Sequence, residues 1–297
     1  MALYNAMGGV NWTDNARWAS SRPLDEWYGV TTNPSGDIVL ELRLGDNGLF
    51  GTLPPELGDL PSLQRLDLND NQVQGEIPVE LGNLADLQHL SLTRNQLRGE
   101  IPWELGNLTH LEVLALGGNR LEGEIPSELG DLANLRELNL SGNRLRGEIP
   151  PELGNLSALE KLHLQDNLLE GTIPPELGDL ANLTELNLTG NAALNGCMPE
   201  GSAVPFCTTP QAFVFTRVGR TAELSWEPVD GASHYNIYYD DLWSCEENPQ
   251  YCDLLDSVTE NAYTHTEAND GYWGSQYGVA ACNQDGCSAW ATAEDGN

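Results

Sequence analysis

Six cysteines, five histidines and 45 acidic side chains are the residues of this 297-residue chain most able to carry chemistry. Their spacing speaks against each chemistry in turn. The cysteines form three close pairs, Cys197/Cys207, Cys245/Cys252 and Cys282/Cys287. An even count in close pairs points to disulfides and an oxidising compartment. Zinc would call for CxxC spacing or flanking histidines, and neither occurs. Cross-pairing among the last four cysteines stays open beside the local pairing. The histidines, His89, His110, His163, His234 and His265, form no HExxH or comparable pair. There is no GxSxG, no P-loop and no GxGxxG before a helix. Glu56, Glu80, Glu104, Glu128, Glu152 and Glu176 recur at one fixed interval and read as solvated turn residues, not a catalytic pair. The segment Asp240–Asp256 is dense enough in acids for Ca²⁺, but it lacks EF-hand spacing and reads as a solvated loop. The expectation is a non-enzymatic chain with no metal and no cofactor.

Charge narrows the partners. Against 45 acids stand 13 Lys and Arg, a net charge of −32. Such a chain repels nucleic-acid phosphates and anionic lipid and tends to stay soluble and monomeric. Its lysine-poor balance, with Lys161 the single lysine, also fits life in high salt. No stretch reaches the roughly 18–20 apolar residues of a membrane span. The opening MALYNAMGG is too short and polar for a signal peptide, so a secreted chain would have its start upstream.

What positions these residues is a repeat. Asn47, Asn71, Asn95, Asn119, Asn143, Asn167 and Asn191 lie 24 residues apart, in units starting at Val39, Leu63, Leu87, Leu111, Leu135, Leu159 and Leu183. One unit, LRELNLSGNRLRGEIPPELGNLSA, shows the logic. Leu138 and Leu140 alternate with outward residues and predict a short strand. Parallel stacking at about 4.8 Å gives seven strands spanning roughly 30 Å. His89 and His163 both face the concave sheet but stand three units apart, roughly 14 Å, too far to share a metal. The asparagine amides are expected to bond backbone of their own and the next unit, a structural ladder. GxIP then runs extended, and PxELGxL forms one helical turn on the convex side. No unit buries its leucines alone, so both ends need caps.

The LxxLxLxxN and LxGxIP pattern over Val39–Leu194 closely resembles the leucine-rich repeats of plant receptor kinases and polygalacturonase-inhibiting proteins. That resemblance implies an α/β-type solenoid with a parallel sheet on the concave face and a second, short lateral sheet. Residues 1–38 resemble the family's N-terminal cap through Trp12, Trp18 and Trp27-Tyr28-Gly29-Val30. The plant cap's paired cysteines are missing, with Thr32 near one of their places, as in bacterial secreted repeat proteins. Tryptophan packing must then hold the cap. Residues 195–209, closing at Cys207, resemble a C-terminal cap.

From residue 210 to 297 the period gives way to short alternating runs: Ala212–Thr216, Thr221–Trp226, Tyr235–Tyr239, Ala262–Thr266, Gln276–Cys282 and Cys287–Trp290. LSWEPVDGASHYNIYY and YGVAACNQDGCSAW resemble a fibronectin type III domain. The resemblance implies an all-β sandwich with Trp226 in its core and Tyr277 at its tyrosine corner. Two local disulfides would be the departure, Cys282–Cys287 across a hairpin and Cys245–Cys252 in the acidic loop.

The outward strand positions carry the functional expectation. Val113, Ala115 and Gly117 make the middle smooth and uncharged, continued by Glu137, Asn139 and Ser141. His89, Ser91 and Arg94 flank it on one side, Lys161 and His163 on the other. A side-chain-poor strip admits a partner's backbone closely, which predicts an extracellular or cell-surface module binding a protein or peptide on its concave face. Polysaccharide binding is the alternative, although no aromatic residue stands in the columns. Inhibition of a secreted hydrolase is another. Arg94, Arg98, Arg120, Arg144 and Arg146 are expected on the rim, where they would relieve the column Glu76, Glu100, Glu124 and Glu148.

Overall fold

The computed structural model describes residues 1–196 and, beyond them, 214–218, 221–225, 228–229, 232, 234–240, 253–259, 262–265, 276–283, 286–287 and 291–294. The chain forms two compact units, Met1–Ala193 and Leu194–Asn297.

In the first unit, leucines spaced for period-2 alternation build a parallel main sheet. Its strands are Val39–Arg43, Arg65–Asp67, His89–Ser91, Val113–Ala115, Glu137–Asn139, Lys161–His163 and Glu185–Asn187, in chain order. Register is strict. Glu41, Arg65, His89, Val113, Glu137, Lys161 and Glu185 are successive partners, so one residue per unit falls in each column. Val30–Thr32 pairs antiparallel with Val39–Arg43 and covers the first edge.

A lateral sheet runs in parallel through Phe50–Thr52, Gln72–Gly75, Gln96–Gly99, Arg120–Gly123, Arg144–Gly147 and Leu168–Thr172. Short 3₁₀ turns close the units, from Pro55–Asp59 to Pro175–Asp179, each begun after a proline with a glutamate in its first turn. Between these layers the leucines, among them Leu114, Leu116, Leu121 and Leu129, are fully buried.

The asparagines occupy the turn out of each main-sheet strand. Asn119 Nδ2 donates to Leu116 O at 2.9 Å in its own unit and to Leu92 O at 3.0 Å in the unit before, and its Oδ1 accepts from Leu97 N at 3.0 Å. The partner unit is thus the preceding one, not the next. The strand ends just before the asparagine, and the turn aims the amide back across the stack. Asn47, first in the row, meets the cap instead, bonding Asp14 O and Asp14 N.

The cap is an aromatic cluster. Trp12 and Trp18 meet edge to face at 5.0 Å, Trp18 and Trp27 lie 5.0 Å apart, and Tyr4 packs on both Trp12 and Trp18. Each buried indole nitrogen has an acceptor: Trp12 donates to Met7 O and Trp18 to Tyr28 O.

The second unit contains two antiparallel sheets. Val214–Val218, Thr221–Ser225 and Ala262–His265 form one, and His234–Asp240 and Gln276–Asn283 form the centre of the other. Asp253–Val258 is a strand paired with His234–Asp240, which corrects the reading of Asp240–Asp256 as one acidic loop. Asp253 and Asp256 had masked the apolar positions Leu254, Leu255 and Val258. Cys282 is buried and lies opposite Cys287 across the hairpin. Tyr235, also buried, accepts a hydrogen bond from Val229 N on its hydroxyl at 2.8 Å. Trp226, Cys197, Cys207, Cys245, Cys252 and the side chain of Tyr277 lie outside the described residues.

Candidate functional site: a recessed strip on the main sheet

The main sheet's outward columns converge on a depression of about 320 Å³ over the third to fifth strands. His89, Ser91 and Arg94 stand on one side of it, Glu137 and Asn139 on the other, and Val113 and Ala115 form the floor. Asn69, Asp70 and Thr93 also line it. They sit beside strand ends and were singled out by no motif. The pairing of Arg94 Nη1 with Asp70 Oδ1 at 3.4 Å shows one reason they belong.

The floor is deeper than the pattern implied. Ala115 and Ser91 are buried despite pointing outward, because longer side chains in neighbouring columns rise above them. Gly117 is buried as well. A Cβ placed there would stand 2.7 Å from Asn139 Oδ1 and 2.9 Å from Ser141 Oγ, so its smallness is a packing requirement. Ser141 donates its hydroxyl to Asn139 Oδ1 at 2.7 Å and fixes that edge.

The next position has a different cause. Asp46, Asp70, Arg94, Gly118, Gly142, Asp166 and Gly190 all have positive φ. They are turn residues, not strand residues, and the left-handed region favours glycine at Gly118, Gly142 and Gly190 whatever the partner. Arg94 holds the same conformation at φ 53° against its preference.

Lys161 and His163 are not part of the depression. Both reach Glu185, at 3.6 and 3.1 Å. The arginine expectation needs a larger correction. Arg98, Arg120, Arg144 and Arg146 lie in the lateral strands, where Arg98 and Arg120 are register partners. Among the described residues none of these four, and none of Glu76, Glu100, Glu124 and Glu148, has an opposite charge within 4.0 Å. Gly99 and Gly147, at positive φ, stand between Arg98 and Glu100 and between Arg146 and Glu148, and break the alternation that would put each pair on one face.

Electrostatically the depression is nearly neutral at its centre. Burial pulls the pKa of His89 below its ordinary value, and Arg65 and Arg43 push the same way against the pull of Asp67. His89 therefore enters neutral pH as an uncharged imidazole. The arrangement offers hydrogen-bonding groups around an apolar floor, and among the described residues no hydrogen bond joins the Ser91 hydroxyl to His89.

Two spans of the chain, residues 40–143 and 79–200, match the family model of the leucine-rich repeat region. Together they cover more than half of the chain, which belongs to the leucine-rich-repeat proteins. Among solved structures, the Arabidopsis receptor kinase HAESA, in complex with the peptide hormone IDA and the co-receptor SERK1, is similar at 33% identity and TM-score 0.59. That match covers 66% of this chain and 34% of HAESA. The plant peptide hormone receptor RGFR1, solved with RGF2, is 42% identical over 53% of this chain and 25% of its own, with TM-score 0.52. Pollen Receptor Kinase 3 is 36% identical over 59% of this chain and 85% of its own, with TM-score 0.54. The chain thus spans a quarter to a third of the two hormone receptors. No curated protein matches it.

Proposed function

We propose that the chain is a non-enzymatic extracellular binding module whose main sheet is the concave face and engages a protein or peptide. The observation that carries this is the recessed, neutral strip over Val113 and Ala115, bounded by His89 and Arg94 on one side and by Glu137 and Asn139 on the other. A partner's extended backbone lies flat on such a floor and finds hydrogen-bond partners at both walls. The similar receptors solved with peptide hormones support the class of ligand. The seven asparagines are scaffold in this reading, and their buried amides are spent on backbone groups.

The second unit serves as a fibronectin type III-like spacer or accessory contact, a reading supported by its two antiparallel sheets and the resemblance around Trp226 and Tyr277. A disulfide at buried Cys282, opposite Cys287, supports local cysteine pairing and an oxidising location.

The test is a paired capture of secreted proteins and peptides by the parent, Val113→Arg and Ala133→Arg. Val113 is half-buried in the floor, whereas Ala133 is exposed beyond a 3₁₀ turn. Species held by the parent and by Ala133→Arg but lost from Val113→Arg are expected. Equal retention by the parent and both variants, at unchanged melting temperature, would place binding elsewhere.

A further inference from the structure

The lateral face carries a second surface, independent of the depression on the main sheet. An open trough of about 1190 Å³ crosses the second to sixth units where each GxIP segment meets its 3₁₀ turn. Its centre is apolar and unpartnered. Trp103 is 54% exposed and Val79 49%, and Pro102, Pro126 and Pro150 continue the strip from unit to unit. An indole left more than half in water, inside a concavity and on a repeat position filled elsewhere by Val79, Ser127 and Pro151, has no packing duty that explains it.

The walls are built and they are acidic. Glu76, Glu100, Glu124 and Glu148 stand on one side, and Glu104 and Glu128 on the other. The first row is held by packing. A Cβ on Gly99, Gly123, Gly147 or Gly171 would come within 2.9 to 3.1 Å of the Cγ of Glu76, Glu100, Glu124 or Glu148 respectively. Each glycine, with φ between 76° and 85°, thus gives the preceding unit's glutamate stem a seat, and the stem's position aims the carboxylate outward. Stacked at about 4.8 Å, four such carboxylates span roughly 14 Å. Arg146 enters at one end but pairs with no acid among the described residues. Opening an uncompensated row of like charges onto an apolar strip costs stability unless a cation arrives.

We infer that this trough docks a lysine- or arginine-rich peptide segment of a partner, with cationic side chains between the glutamate rows and an apolar side chain on Trp103. Charge complementarity selects that occupant. A neutral apolar segment would leave the carboxylates desolvated, and an acidic one would be repelled. Trp103 adds an indole face that attracts a cation as readily as it packs an aliphatic chain.

The probes are two fluorescein-labelled octapeptides, one alternating lysine and leucine and the other alternating lysine and serine, titrated by fluorescence anisotropy into the full chain. The triple variant E100Q/E124Q/E148Q is expected to bind both about tenfold more weakly, each exposed ion pair contributing a share. The control D86N/E112Q/D131N removes the same charge from exposed positions outside the trough and should change affinity by no more than about twofold, through the long-range field alone. Trp103→Ser should abolish the preference for the leucine probe over the serine probe. Equal weakening by both triple variants would reduce the effect to general attraction to an acidic protein and overturn the inference. So would an undiminished leucine preference in Trp103→Ser. The substituted side chains, Trp103 included, are exposed, and matching melting temperatures confirm that only the surface has changed.

Discussion

The main sheet and the lateral trough are two faces of one stack, built by the same 24-residue period, yet they differ in what repeats. Along the trough the same residue recurs, because each glutamate stem is seated on the next unit's glycine. Along the main sheet the outward residue changes at every step, from Arg65 through His89, Val113 and Glu137 to Lys161. Apart from the pairing of Lys161 with Glu185, no ion pair among the described residues links neighbours in that column. A column that repeats is therefore explained first by packing, and a column that varies is open to a partner's demands. Within the trough, the position of Val79, Trp103, Ser127 and Pro151 varies in that way, as does that of Glu122, Arg146 and Glu170.

The largest effect expected is one that both faces share. Asn119→Ala removes the donors to Leu92 O and Leu116 O and the acceptor of Leu97 N, leaving buried backbone groups unpaired. The loss of stability should be about 1–3 kcal/mol by denaturant unfolding. Ligand and cationic-probe binding by the folded fraction should both be retained. Loss of binding without loss of stability would turn the ladder from scaffold into site.

Gly117→Arg should separate the faces. Its new Cβ crowds Asn139 and Ser141, so a cost of about 1 kcal/mol is expected, at the low end for overpacking because the edge is near solvent. Partner binding on the main sheet should fall while the octapeptide still binds the trough. Parallel loss on both faces would mean that the strain spreads through the stack, and the comparison between them would fail.

The smallest effect is the dependence on pH. The folded-state pKa of His89 is depressed, so between its ordinary value of 6.5 and the lower folded value the unfolded chain binds more protons. Stability from this group is full above the ordinary value and is lost as pH falls through the folded one. Thermal unfolding between pH 7 and pH 4 should show a shallower decline for His89→Gln than for the parent. Charging His89 should also weaken partner binding over the same interval, with the trough indifferent to the substitution. Identical pH profiles for the parent and His89→Gln would remove the histidine from the argument.

Much of the first unit was legible in the residues alone. The spacing of the asparagines and leucines dictates units, strand positions and columns, because a parallel stack with a fixed repeat allows one register. The tryptophans of a cysteine-free cap announced their own cluster, although Tyr4 completes it unannounced. In the second unit, Asp253–Val258 was hidden because its acids interrupt the apolar alternation that marks a strand.

Composition and period thus determined the repeat fold, its order and the acidic character of this protein. Depth, pairing and facing were decided only by the tertiary structure. Ala115 and Gly117 read as surface, yet neighbouring columns overtop them and turn a smooth strip into a depression. Arg98, Arg120, Arg144 and Arg146 read as partners of the glutamate column, yet they lie in lateral strands and form no ion pair among the described residues. The physical reason is common to both. A linear pattern states which residues share a column, but the height of a neighbour and the direction of a charged head depend on contacts made between units.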